Sequence, residues 1–309
     1  MKKVFIALLL IAFSTPAWSQ GDPDFKRTRD VIYGRKLGVV LTMDVFQPAK
    51  PNGHGVLLMV SGGWVSNHDS INAFFQRGLL DRGYTVFAVV HGSQPKFNIP
   101  EIVQDIHRAV RFVRHNAAKY DIDPNRLAIA GGSAGGHLSL MMATTGGPGK
   151  ESAKDPIDRE TSAVQAVACF FPPTDFLNWR EPGDIQVGIG DVGSRFKAAF
   201  GPRAETEEGR EKLGREISPL YHVTSNTPPI LIIHGDKDKL VPIYQAELFE
   251  KKCKEFGVPV KLIVREGADH GWKNMGDDMK IFADWYDEHF KTNGNRSSAA
   301  SEGRAPSSP

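Results

Sequence analysis

Six short apolar runs recur along the chain, at residues 55–60, 85–90, 126–131, 164–170, 229–234 and 259–265. Each is too short for a buried helix and is bounded by Gly, Pro or polar residues, which predicts buried strands. Helical spacing lies between them. From Pro100 to Tyr120, the residues Ile102, Ile106, Ala109, Val110, Val113 and Ala117 fall on one face of a 3.6-residue repeat. His107 and His115 stand off that stripe. The segment His137–Ala143 and the segment Ile243–Phe256 also read as helices, and Val39–Phe46 is expected to pair antiparallel with the stretch before it. Strands alternating with helices in this way predict an α/β fold, a mostly parallel central sheet covered on both faces.

Three segments break the alternation. Residues 1–19 open with Lys2-Lys3, continue through the apolar run Val4–Phe13 and end in the small-x-small triplet Ala17-Trp18-Ser19. This is the pattern of a secretory signal peptide cut before Gln20, with an apolar core too short to span a bilayer. No cysteine near the cut supports a lipid anchor, so a secreted or periplasmic protein with no stable membrane anchor is expected. Between Pro172 and Pro228 lies an insertion rich in Asp, Glu, Arg and Gly, expected to form a small cap with helices around Val192–Phe200 and Glu205–Arg215. From residue 291 to 309 the chain turns to Ser, Ala, Gly, Asn and Pro without an apolar stripe, predicting a disordered tail. Residues 20–290 are left as one domain.

The 309 residues are 40% hydrophobic, ample for one α/β core. Lys plus Arg number 38 against 36 for Asp plus Glu, a formal net charge of +2. No clustered basic run stands out, so a nucleic-acid partner is not expected. Cys169 and Cys253, the two cysteines, lie on a predicted strand and a predicted helix and are read as buried thiols. The run Asp121-Ile-Asp-Pro-Asn125 has acidic spacing that suggests a calcium loop. It lacks the glycine and glutamate such a loop needs, and Pro124 interrupts it, so no metal site is predicted.

Chemistry concentrates at Gly131-Gly132-Ser133-Ala134-Gly135, a serine in a glycine turn between an apolar strand and a helix. That is the sequence form of a nucleophile elbow, where Cβ groups two residues either side of the serine would strike backbone. No lysine follows the glycines, so the turn is not a phosphate cradle. A serine hydroxyl needs a base and a residue to orient that base. His270, in the loop after the strand 259–265, has the required strand-end position. The remaining nine histidines are read as solvated or structurally satisfied; among them His137 is placed under the elbow, and His234 is expected to brace the loop carrying the acid. Two aspartates compete for the orienting role after the strand 229–234. Asp238 is preferred to Asp236, which directly follows the strand and is better placed to tie down its own loop. A tetrahedral oxyanion further requires N–H donors. Ala134 should supply one, and Gly62 and Gly63, in the loop Ser61-Gly-Gly-Trp64 after the first buried strand, the others. Trp64, Trp179 and Trp272 are candidate pocket walls.

With these pieces in place, the chain resembles the α/β-hydrolase superfamily, and within it the branch of feruloyl, acetyl and arylformamide-type carboxylesterases. The likeness covers about residues 30 to 290. It rests on Leu41–Pro48, Ser61–Trp64, Ala118–Leu127, Gly131–His137, His234-Gly-Asp-Lys-Asp238 with Val241-Pro242, and Asp269-His270-Gly271-Trp272. The resemblance implies Ser133 as nucleophile, Asp238 as acid and His270 as base, no cofactor, and a small acyl ester or acylated polysaccharide as substrate. Two departures are visible: Val60-Ser61-Gly62-Gly63-Trp64 stands where the family usually has His-Gly-Gly-Gly-Trp, without the histidine and one glycine, and Val90-His91-Gly-Ser-Gln-Pro95 stands where the family often carries a Tyr-Arg pair. Two other functions compete. A prolyl-oligopeptidase-related serine peptidase shares the elbow pattern but usually carries a large N-terminal propeller, for which only some 30 residues are present here. A binding fold with a decayed site would be expected to have lost one of the three candidate residues.

Overall fold

In the computed structural model, residues 24–302 are described, with side chains to residue 291; the expected leader lies outside the described residues. Eight strands form one sheet: β1 Phe25–Lys36, β2 Val39–Pro48, β3 Gly55–Met59, β4 Thr85–Val90, β5 Leu127–Gly132, β6 Ala166–Phe170, β7 Ile230–Gly235 and β8 Val260–Arg265. Their spatial order is β1-β2-β4-β3-β5-β6-β7-β8. β1 pairs with β2 and β2 with β4 antiparallel, and the other five pairs are parallel. The expected opening hairpin and the six apolar runs are therefore all strands of the sheet, but β8, at its edge, is only half-buried rather than buried as expected.

Strands β3 to β7 are buried on both faces, as a parallel sheet covered by helices requires. Alternate residues feed two cores: Leu57, Phe87 and Ile129 face one layer, Val56, Val86 and Ala128 the other. The first layer is built by α2 (Ile99–His115), α3 (Ala134–Thr145) and α7 (Tyr244–Glu255), the second by the short α1 (Arg77–Leu80) and by α8 (Met279–Glu302). Phe282, Tyr286 and Phe290 anchor α8, and the Tyr286 hydroxyl donates to the Ile129 carbonyl at 3.0 Å.

Two expectations need correction. The long helix expected to reach Tyr120 stops at His115 and becomes a 3₁₀ turn over Ala117–Tyr120. Asn116 ends it by donating its amide to Phe112 O at 2.8 Å, competing with the backbone ladder. The unstructured tail expected from residue 291 is also wrong at its start, because α8 continues to Glu302. Extending a helix already nucleated on a packed face costs far less than starting one, and no proline intervenes before residue 306. Residues 303–309 lie outside the described part.

The insertion at 172–228 holds α4 (Gly190–Arg195), α5 (Lys197–Phe200) and α6 (Glu207–Ile217), close to the expected helices. It packs onto the carboxyl end of the sheet through an aromatic cluster: Phe176 and Phe200 lie 5.8 and 5.9 Å from the Trp64 ring.

Candidate active site

Ser133 sits where β5 turns into α3, with φ 54° and ψ −121°, a conformation non-glycine residues seldom adopt. The surroundings enforce it. A Cβ on Gly131 would lie 2.4 Å from Gly135 O, and one on Gly135 would lie 2.7 Å from Met59 O, so both positions admit only glycine at this closeness of packing. The Ser133 amide is held by Phe170 O at 3.0 Å.

Three residues far apart in the chain meet at this point. His270 Nε2 lies 2.9 Å from Ser133 Oγ, and His270 Nδ1 lies 2.7 Å from Asp238 Oδ2. A carboxylate only accepts, so the ring proton resides on Nδ1 and Nε2 is free to accept from the serine hydroxyl. Burial alone would raise the pKa of Asp238. Hydrogen bonds from His234 and His270 outweigh it, helped by the Val241 amide, and hold the carboxyl well below the usual carboxylate range. Its Oδ1 accepts the Leu240 and Val241 amides, each at 2.9 Å. Asp236 does what its position suggested: it receives the Gly267 amide at 2.6 Å and ties two loops together. His234 spans Val241 O at 2.8 Å and Asp238 Oδ2 at 3.3 Å, bracing the loop of the acid.

The serine and His270 open onto a cavity of about 580 Å³. Its walls are mainly apolar, including Phe75, Phe171, Phe196, Leu240 and Met275, and among the described residues no Lys, Arg, Asp or Glu lines it. Gly63 lines it too, and the amides of Gly63 and Ala134 have no hydrogen-bond partner among the described residues. Gly62 leaves the expected donor set, because its N–H is bonded to Val65 O at 3.0 Å.

The tryptophans are likewise corrected. Trp64 is buried rather than lining the cavity, and its indole donates to His137 Nδ1 at 3.2 Å. His137 in turn donates Nε2–H to Ile217 O at 2.7 Å, linking the loop after β3 to α3 and α6. Trp272 turns away to pack edge-on against Phe170 and donates to Asp278 at 2.8 Å. Trp179 is fully buried. Large aromatics at these places are used to fix loops, not to bound the cavity.

The residue the sequence reading missed is Phe171. It directly follows β6, at the carboxyl end of a central strand, and its ring centroid lies 4.4 Å from that of His270. Its φ of 35° is unusual for so bulky a residue, and its amide is fixed by Ile233 O at 3.0 Å. Its strand-end position, shared with Ser133 and Asp238, was the available signal.

Residues 43–253 match the BD-FAE family. The chain belongs to that family. It is 30% identical over 251 residues to the esterase LipC of Mycobacterium tuberculosis, which covers 79% of this chain and 59% of that protein. The chain thus spans little more than half the length of this curated relative. Among solved structures, a truncated carbohydrate esterase from gut microbiota superposes with a TM-score of 0.72 at 26% identity, over 87% of this chain and 98% of that one. The esterase 2 of Thermogutta terrifontis superposes at 0.63 and 23% identity, over 88% and 91%, a likeness of fold. The sheet and its helices are those of an α/β-hydrolase of the esterase branch.

Proposed function

We propose that the protein is a serine carboxylesterase working through an acyl-enzyme. The observation that carries this reading is the unbroken hydrogen-bonded line Ser133–His270–Asp238 opening on an apolar cavity. Ser133 Oγ attacks the ester carbonyl while its proton passes to His270 Nε2. Asp238 holds the ring in the Nδ1–H tautomer and stabilises the imidazolium. Charge on the tetrahedral oxygen is met by the amides of Ala134 and of the loop after β3, a kind of contact worth about 2.7–4 kcal/mol per donor. Collapse expels the alcohol, which takes the proton from His270. Water, activated by the same ring, then frees the acid.

Small acyl esters of acetyl or feruloyl type, including those on polysaccharides, are the proposed substrates. The size of the cavity and its apolar walls among the described residues favour a neutral acyl group, and likeness to a gut carbohydrate esterase favours a sugar alcohol. Mixing enzyme with nitrophenyl acetate should release a burst of about one nitrophenol per Ser133 before the steady state. The burst should vanish in Ser133→Ala; its survival there would remove Ser133 as nucleophile. A panel of acetylated and feruloylated oligosaccharides then sorts the alcohol.

The leader pattern Lys2–Ser19 supports export. Protein recovered from the secreting host should begin at Gln20, and a mature chain that retains Lys2-Lys3 would contradict that reading.

A further inference from the structure

The loop after β3, residues 61–66, is held along its length by the loop after β4. Gln94 uses both of its ends. Its side-chain Nε2 donates to Gly63 O at 2.6 Å, and its backbone N–H donates to Trp64 O at 3.2 Å. Ser66 N–H donates to Ser93 Oγ at 2.8 Å, and Ser93 Oγ–H returns to Ser66 O at 3.1 Å. At the start of the loop, Ser61 Oγ meets His91 Nε2 at 2.8 Å, while His91 Nδ1 meets Gly92 O at 2.7 Å. A carbonyl cannot donate, so Nδ1 carries the ring proton and Ser61 is the donor to Nε2. Burial lowers the pKa of His91 to about 4, which keeps the ring in this neutral form.

The consequence lies on the other edge of each peptide. In a trans peptide the C=O and the following N–H point in opposite directions. Gly62 O is taken by the Val65 amide at 3.0 Å and Gly63 O by Gln94, which turns the N–H groups of Gly63 and Trp64 away from those partners. Neither amide has a hydrogen-bond partner among the described residues. Two adjacent donors are thus left free by pinning the carbonyls behind them.

We propose that Gln94, supported by the Ser61–His91 pair, is a positioning residue that fixes the Gly63–Trp64 peptide and so aims the Gly63 amide, which lines the cavity, as the loop half of the oxyanion hole. This rests on the carboxylesterase reading and adds to it a side chain that touches no reacting atom.

The test is Gln94→Met, which keeps the volume and removes the donor at a half-buried position. Active sites are titrated with a fluorophosphonate, so that losses are expressed per competent site. With nitrophenyl acetate, kcat per site should fall about ten- to a hundred-fold while KM stays within about twofold. Affinity for a trifluoromethyl ketone, whose carbonyl takes Ser133 Oγ and leaves an oxyanion, should weaken by the same factor as kcat/KM. Ser61→Ala should show the same split more weakly, and Ser61→Thr, which retains the hydroxyl, should recover it. A kcat per site within about threefold of wild type, or a loss confined to the number of titratable sites with ketone affinity intact, overturns the proposal. A wild-type chain that takes no probe and turns over no ester overturns the esterase reading itself, and this one with it.

Discussion

At the scale of single residues, the site is a line of three side chains whose proton positions are fixed by what each can accept. Removing any member breaks the line, so the losses cannot add. Ser133→Ala or His270→Ala should each lower kcat by roughly 10⁶, and the double variant should be little worse than either; additive losses in the double-mutant kinetics would show two independent effects. Asp238→Asn keeps the shape but offers an N–H to His270 Nδ1 and favours the wrong tautomer. It should cost about 10⁴ in kcat with the fold intact, checked by esterase turnover beside a thermal melt; the equivalent Asp236→Asn should leave turnover near wild type. Ser133, Asp238 and His270 were readable because each stands in a strand-end loop with its own local signature. Gly62 and Trp64 were misread for a different reason. Whether an amide is free, or an indole faces a cavity, depends on partners such as Val65 O and His137 that no local pattern encodes.

Elements set where those residues meet. The sharp β5–α3 turn exists because Gly131 and Gly135 let backbone approach to distances no Cβ tolerates. In Gly131→Ala the new Cβ would fall 2.4 Å from Gly135 O, with backbone rather than a flexible tip in the way. This variant should lose several kcal/mol of stability, about 2 or more, and lose turnover with it. Urea unfolding checks the point, and a wild-type midpoint would mean that the turn is not tight. Gly132→Ala, with nothing nearer than 3.5 Å, serves as the permissive control for stability. The strands were legible because a fully buried parallel strand is an unbroken apolar run, and Gly55–Met59 and residues 230–233 are that. Helix ends were less so. The break at Asn116 turns on one side-chain amide bonding its own helix, and the extension of α8 on propagation from a packed segment.

Across the whole molecule, the same buried histidines that lock the loops make the fold sensitive to acid. His91, His107 and His137 are each held down to about 4, chiefly by burial. Between that value and about 6.5 the unfolded chain binds more protons than the folded one. Their stabilising effect is therefore complete above about pH 6.5 and is lost as pH falls toward 4, on the order of 3 kcal/mol for each ring. Asp238, whose folded pKa is depressed, adds a further loss as pH falls below about 4. Urea midpoints should drop steeply from pH 7 to 4.5; a flat midpoint over that range would contradict neutral burial of these rings. Everything functional nonetheless depends on one convergence at the carboxyl end of the sheet, where β5, β7 and β8 deliver their loops to a common rim. The most direct measurement is to treat the protein with a fluorophosphonate and locate the adduct by peptide mass spectrometry. One adduct on Ser133, formed far more slowly in His270→Ala, is the predicted result. No adduct, or one on another residue, would contradict the account.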